Sequence, residues 1–293
     1  MRVLGVDIGG TFVKILLKDG DNIVKEKIVV SEDVKEKGKF EKFMLDIILK
    51  HSPEKVGIAV AGLVNKEGVI TNSPNLRYIE GINLKAYLQN NLNIPVFVGN
   101  DANFAAYGEY IYGNGRGSKI LICLTLGTGL GGGAVIDGKI VEGVSGSAME
   151  IGHMIIEKGG QLCNCGRRGC LEAYVSSYGL ERIYREISGE DFSSFDIIKL
   201  AKEGDEKALS SFDIFVDYLS VGIMNIAHIF NPDRVLLSGG VVENYPYFIT
   251  KLIDKVKRIT FPLPAEDLSI DVGFLGSWSG SYGALAVAEN YSS

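Results

Sequence analysis

Val3-Leu4-Gly5-Val6-Asp7-Ile8-Gly9-Gly10-Thr11 and Leu121-Ile122-Cys123-Leu124-Thr125-Leu126-Gly127-Thr128-Gly129 are two copies of one pattern, an apolar run that ends in a glycine turn. The copies stand 125 − 7 = 118 residues apart, and the same offset carries Asp19-Gly20 onto Asp137-Gly138. A short β-branched run closed by glycine reads as a buried strand, and Asp-Gly between two such runs reads as a hairpin. Each copy is therefore strand, glycine turn, strand, hairpin, strand. One match at this offset carries little weight. Two glycine features in register predict a duplicated chain with two related α/β halves facing each other.

Working outward, the first copy continues with a third strand over 23–30. Phe40, Phe43, Met44, Ile47 and Ile48 then recur at helical spacing. A strand over 56–60, a short helix over 84–88 and a strand over 95–98 follow, and Gly99-Asn100-Asp101 opens a helix that runs to about Tyr112. In the second half, 178–187 and 195–202 read as helices. A long helix over 207–230 is stopped by Asn231-Pro232. A strand over 234–237 leads into Ser238-Gly239-Gly240. A helix marked by Leu252, Ile253 and Val256, a strand over 268–272 and a closing helix over 278–290, rich in Ala and Gly, complete the chain. The joint falls in Asn114-Gly115-Arg116-Gly117. The expected division is an N-terminal α/β domain over 1–114, a C-terminal α/β domain over 115–276, and a closing helix over 277–293 that packs back on the first.

Composition narrows the function classes. Apolar residues are 46% and charged residues 23% of 293, as in an ordinary globular protein rather than a disordered one. A net charge of -6 argues against nucleic acid as the main partner, since no domain-wide basic field exists to neutralise phosphates. Asp7 interrupts the N-terminal apolar run too early for a signal peptide, and no continuous apolar run reaches the ~18 residues of a membrane span. The expectation is a cytoplasmic protein that does not engage a membrane. Lone Cys123, inside an apolar run, reads as a core residue.

Three glycine loops each follow an apolar strand: Gly9-Gly10-Thr11, Gly127-Thr128-Gly129 and Gly239-Gly240. Phosphate needs backbone N–H donors with no side chain in the way, which glycine at a turn supplies. Any one of these loops by itself reads as a plain turn. Three of them, two related by the repeat, point to phosphate. No Gly-Lys-Ser/Thr phosphate loop is present, and no Gly-x-Gly-x-x-Gly opens a helix after the first strand, so P-loop and dinucleotide readings lose ground. Asp7, a carboxylate at the end of a buried strand, needs a cationic partner. Magnesium carried by ATP and held through water meets that need.

Gly99-Asn100-Asp101-Ala102-Asn103 lies where a strand ends and a helix begins, the place where α/β proteins bind ligands. Asp101 reads both as the cap of that helix and as the base that takes a proton from a sugar hydroxyl attacking ATP. Asn100 is expected to hold a neighbouring hydroxyl. His153, Cys163, Cys165 and Cys170 form a compact set of one imidazole and three thiols that suits tetrahedral zinc, with four protein ligands and hence a structural role. The unmetallated alternative is a reduced loop with an ordinary histidine. Glu150 and Glu172 flank the loop and are expected to accept hydrogen bonds from vicinal sugar hydroxyls. The second nitrogen of His153 is then available to a sugar oxygen.

Taken together, these motifs resemble the ROK family of sugar kinases and repressors over almost the full length. The matching stretches are Asp7-x-Gly9-Gly10-Thr11, Ser73-Pro74-Asn75-Leu76, Gly99-Asn100-Asp101-Ala102-Asn103, Leu126–Gly133, Glu150-Ile151-Gly152-His153, Cys163-x-Cys165-Gly166-x-x-Gly169-Cys170-Leu171-Glu172 and Ser238-Gly239-Gly240-Val241. The histidine–cysteine cluster is the most specific. The resemblance implies an actin-like ATPase (ribonuclease H-like) fold, two duplicated α/β domains around a cleft that holds ATP and sugar. It implies Asp101 as general base, sugar contacts from Asn75, Asn100, Asp101, Glu150, His153 and Glu172, and zinc ligation by His153, Cys163, Cys165 and Cys170. It further implies a homodimer or homotetramer and the 6-OH of a hexose, glucose first, as acceptor. N-acetylmannosamine, N-acetylglucosamine and fructose are alternatives. Two departures stand out. Leu76-Arg77-Tyr78 occupy a place where many glucokinase-like members have Pro-Gly-Trp, and Met149 stands where glycine commonly precedes the glutamate.

Rival readings are a sugar-sensing regulator, a zinc-binding module with vestigial nucleotide loops, and an ATP hydrolase or phosphatase. Repressors of the family carry a helix-turn-helix before the first strand, and here that strand starts at Val3, so a regulator of this length would lack a DNA-binding module. Asp7, Thr11 and Asp101 together argue against a vestigial site. A hydrolase would leave Asn75, Asn100, Glu150 and Glu172 unused.

Overall fold

A computed structural model describes residues 1–73 and 76–291. The elements follow in order: β1 (Arg2–Ile8), β2 (Phe12–Asp19), β3 (Asn22–Val29), α1 (Lys39–His51), β4 (Lys55–Val60), β5 (Leu63–Val64), β6 (Ile70–Asn72), α2 (Leu84–Leu92), β7 (Val96–Asn100) and α3 (Asp101–Tyr112). Next come β8 (Ile120–Leu126), β9 (Leu130–Ile136), β10 (Lys139–Ile140), α4 (Glu172–Val175), α5 (Ser177–Ser188), α6 (Ser194–Glu203) and α7 (Glu206–Phe230). The chain closes with β11 (Arg234–Ser238), α8 (Gly240–Asn244), α9 (Ile249–Ile259), α10 (Pro262–Asp267), β12 (Ser269–Val272) and α11 (Ser279–Asn290).

The repeat is visible in the sheets. One has the order β3-β2-β1-β4-β7 and the other β10-β9-β8-β11-β12. In the first, β1 lies between antiparallel β2 and parallel β4; in the second, β8 lies between β9 and parallel β11. β8 starts 120 − 2 = 118 residues after β1 and ends 126 − 8 = 118 residues after it. The chain divides into two compact units, Met1–Arg116 with Gly133–Met149 and Ser277–Ser293, and Gly117–Gly132 with Glu150–Gly276.

In the first unit the two-residue period of β1 decides the layers. Leu4, Val6 and Ile8 join Phe40, Met44 and Ile48 of α1 and Leu84 and Leu88 of α2 in one core. Val3 turns the other way, against Leu285 and Ala288 of α11. Gly5 and Asp7 share that second face, and both lie close to α11. A Cβ on Gly57 would collide with the Ala284 carbonyl, and one on Gly283 with the Phe104 carbonyl. Glycine is thus required where α11 crosses β4 and α3 at backbone contact distance.

In the second unit, α7 is the central helix. Asp205 caps it by accepting from the Ala208 N–H (2.8 Å), and Asn231, with φ 44°, ends it before Pro232. Among the described residues it is the one helix long and apolar enough to cross a membrane, and half of its most apolar stretch is buried inside the protein. It packs against α4, α5, α6 and α9.

Candidate active site

β7 delivers Asn100 and Asp101 to the start of α3. Asn100 keeps extended backbone angles (φ −65°, ψ 140°), and its Oδ1 accepts from the Asn103 N–H at 3.0 Å. The cap of α3 is therefore Asn100, and Asp101 is the first helical residue, so the helix starts one place earlier than a cap at Asp101 requires. Asn100 Nδ2 donates to the Gly62 carbonyl (3.0 Å) and to Asp101 Oδ1 (3.2 Å), and the Ala102 N–H donates to the same oxygen (2.9 Å). Two donors thus fix one oxygen of the half-buried Asp101. The amide of Asn100, expected to hold a sugar hydroxyl, already serves the helix end and Gly62. A cavity of about 180 Å³ in this unit is lined by Val64, Asn65, Lys85, Asn100, Asn103 and Glu142, among others. That is below the volume that encloses a drug-sized ligand.

Asp7 ends β1 on the face turned to α11, close to Gly280, where a Cβ would come within 2.9 Å of its carboxyl carbon. Burial pushes its carboxyl above the ordinary 3.8, opposed by Lys14, whose Nζ lies 3.9 Å away. Lys14 is the cross-strand partner of Asp7. The sequence reading missed it; pairing Ile8 with Val13 across the turn is the signal that finds it, because directly opposed residues share a face. The turn between them is tight: Gly9 N–H donates to the Phe12 carbonyl at 3.0 Å, while Gly10 and Thr11 are exposed.

The other glycine loops belong to the second unit. Gly127 N–H donates to the Gly129 carbonyl (3.0 Å), and the Gly127 carbonyl accepts from the Ser177 N–H (2.8 Å). Thr128 is exposed at the tip. Gly239 has φ 95°, and a Cβ there would strike the Leu126 carbonyl, so this position admits glycine alone. Gly240 opens α8 with no neighbour within 4 Å of a Cβ position.

His153, Cys163, Cys165 and Cys170 come together, with one ligand atom from each lying within 4.8 Å of all the others. Cys163 Sγ is 3.8 Å from His153 Nδ1, and the sulfurs of Cys165 and Cys170 are 3.7 Å apart. Four donors around one zinc at ~2.0–2.3 Å stand about 3.5–3.8 Å from each other, so the set fits a tetrahedral ion. Gly166 (φ 84°) and Gly169 (φ 83°) turn the loop back on itself. Bridges pair Ile155 with Cys170 and Leu162 with Arg168. Burial pushes the Cys163 thiol up to about 12.

Glu150 and Glu172 differ in setting. Glu150 Oε2 lies 3.8 Å from His153 Nε2, the ring nitrogen turned away from Cys163. Burial pushes the Glu150 carboxyl up, His153 opposes this and Glu172 adds to it. Glu172 begins α4 and is bound on both oxygens. Oε2 accepts from the Leu130 N–H (3.0 Å), and Oε1 accepts from Tyr178 Oη (3.1 Å) and Cys163 Sγ (3.4 Å). Nothing in the sequence flags Tyr178, whose place beside the cluster follows from how α4 runs into α5. Asn75 lies outside the described residues. Met149, just before Glu150, has φ 70°, which accounts for the glycine that commonly stands there.

Two five-stranded sheets with the same strand order, each with a leading strand that ends in a glycine turn, define an actin-like ATPase fold. The chain belongs to the ROK family, whose sequence profile matches residues 3–291. It is 33% identical to the glucokinase of Thermotoga maritima over 95% of this chain and 96% of that protein. It is 32% identical to the xylose repressor of Bacillus spizizenii over 88% of this chain and 69% of the repressor. A ROK family glucokinase from Streptomyces griseus, solved with glucose and AMPPNP, superposes with a TM-score of 0.83 at 28% identity, covering 99% of this chain and 100% of that one.

Proposed function

We propose that this chain is an ATP-dependent hexose kinase that transfers the γ-phosphoryl group of Mg-ATP to a sugar hydroxyl, the 6-OH of glucose first among candidates. The observation that carries the reading is Asp101 at the start of α3, one oxygen fixed by the Ala102 N–H and Asn100 Nδ2. A loose phosphoryl-transfer transition state asks for a positioned nucleophile and late proton removal, which an oriented carboxylate supplies. Likeness to a glucokinase over 95% of this chain supports the same assignment.

In this reading Asp101 takes the proton of the attacking hydroxyl. Asn75, Asn100, Glu150, His153 and Glu172 orient the sugar, the carboxylates as acceptors of hydroxyl hydrogen bonds. Asn100 acts chiefly by holding Asp101. Gly9, Gly10 and Thr11, with Gly127, Thr128, Gly129, Gly239 and Gly240, present backbone donors to ATP phosphates. Asp7 would hold the nucleotide's magnesium through water, and the cation would neutralise phosphate charge. His153, Cys163, Cys165 and Cys170 would hold a structural zinc that fixes the loop between Glu150 and Glu172. The protein works in the cytoplasm as a homodimer or homotetramer. N-acetylmannosamine, N-acetylglucosamine and fructose are the next candidates as substrate. Likeness to a xylose repressor favours one second reading, a sugar sensor without catalysis.

The test is ADP release from Mg-ATP against a panel of hexoses and N-acetylhexosamines, with a no-sugar control and the Asp101→Ala variant. Stimulation by one or two sugars, at least ~10³-fold weaker in the variant while sugar binding persists, is expected. Sugar binding without stimulated release would establish the sensor. Equal release without sugar would establish a hydrolase.

A further inference from the structure

Glu172 sits at a junction that its role as a sugar acceptor does not explain. Its Oε2 holds the Leu130 N–H, the first backbone donor after the Gly127–Gly129 turn. The fit is close, since a Cβ on Gly129 would lie 2.6 Å from that oxygen. Its Oε1 is reached by two donors in the structure, Tyr178 Oη at 3.1 Å and the Cys163 thiol at 3.4 Å. Tyr178 Oη also lies 3.6 Å from Cys163 Sγ. One phenol hydrogen therefore stands within reach of a carboxylate oxygen and of a sulfur in the metal-ligating set.

A cysteine bound to metal is a thiolate and donates nothing. With metal in place, Glu172 Oε1 and Cys163 Sγ become two anionic atoms 3.4 Å apart. Tyr178 is then the donor that the structure places against both. Without its hydroxyl the carboxylate is pushed off by the sulfur, and the Leu130 N–H is left to tether it. We propose that Tyr178 is a positioning residue that couples the metal loop to the sugar site, holding Glu172 at a fixed distance from the Cys163 sulfur. This rests on the sugar-kinase reading for Glu172 and on metal at the histidine–cysteine set. It adds a residue outside both, on α5, through which one controls the other. Partners that orient metal ligands commonly matter 10- to 100-fold in metal affinity. A hydrogen bond to a charged group commonly matters about tenfold or more.

Tyr178→Phe keeps the ring and deletes the hydroxyl. Two quantities are compared with the parent, both on the full-length, zinc-loaded protein. The first is the rate of zinc release to a chromophoric chelator, which needs neither sugar nor ATP. The second is the Kd for glucose by calorimetry, or for N-acetylmannosamine if the parent prefers it. Zinc release about tenfold faster and sugar Kd about tenfold higher are expected, with kcat at saturating sugar within about twofold of the parent. An unchanged value of either quantity overturns the proposal: unaltered release removes the sulfur contact, and unaltered Kd leaves the hydroxyl serving the metal loop alone. If the parent binds no sugar, the functional reading is at fault, and the release rate by itself decides whether Tyr178 ties the loop.

Discussion

At the scale of single residues, two positions carry costs that the fold tolerates. Met149 holds φ 70° although it is not glycine, and its side chain is buried. A left-handed backbone is worse still for a β-branched side chain, whose Cβ substituents crowd the following carbonyl. Met149→Val is expected to cost about 1–2 kcal/mol more than Met149→Leu, read as the difference in their urea midpoints. Equal midpoints would place the strain elsewhere. Asp7 is the second position. Its folded pKa is raised by burial, so the folded state binds the proton more tightly than the unfolded chain does. Ionising it therefore subtracts stability, and the subtraction begins as pH rises above the ordinary 3.8 and is complete above the folded value. At neutral pH, ligand-free Asp7→Asn should melt a few degrees higher than the parent, roughly 2–4 °C for each kcal/mol relieved, yet lose affinity for Mg-AMPPNP. A lower melting point would mean that the contact with Lys14 outweighs burial. The histidine–cysteine set was legible because its ligands lie within a short loop whose spacing states the chemistry. The hydrogen bonds of Glu172 were not, because they depend on Leu130 and Tyr178, which packing alone brings to it. The cap of α3 was misplaced by one residue, since Asn and Asp cap equally well and only the extended backbone at Asn100 decides between them.

Elements were legible where period and punctuation agree. The 118-residue offset read from glycine turns reappears in the limits of β1 and β8, and α7 ends at the Asn231-Pro232 stop. β9 was harder. The sequence reading starts this strand only at Gly133, because its opening residues, Leu130 to Gly132, lie in a glycine-dense stretch and glycine has poor strand propensity. Gly133 is there because a Cβ would meet the Ala102 carbonyl of α3, so the residue records a close backbone approach rather than a turn. The β5–β6 hairpin, two residues against three, is too short to show a period. Where α11 crosses β4, the same logic yields a measurable expectation. Gly57→Ala puts a methyl group onto the Ala284 carbonyl, and backbone on both sides leaves no flexible side chain to yield. A loss of about 1–3 kcal/mol or more by chemical denaturation is expected, although Ala is the better strand residue. A neutral result would mean that α11 sits further from the sheet.

Across the whole molecule, duplication is the dominant fact. One strand–turn–strand unit, written twice, places a glycine turn at the end of the leading strand each time, and the two sheets keep one strand order. The second copy also carries the metal-ligating loop, for which the first has no counterpart among its described residues. The first unit is assembled from both ends of the chain: Val3 and Leu16, near the start, are covered by Leu285 and Ala288, near the finish. During synthesis at about 5–20 residues per second, that face waits until Leu285 and Ala288 have been made. The second unit, whose residues end at Gly276, is fully translated before Ser277 exists. The first unit, begun earlier, is therefore completed after the second, and a chain cut between Gly276 and Leu285 would leave its opening strands uncovered, a ready substrate for chaperones and proteases.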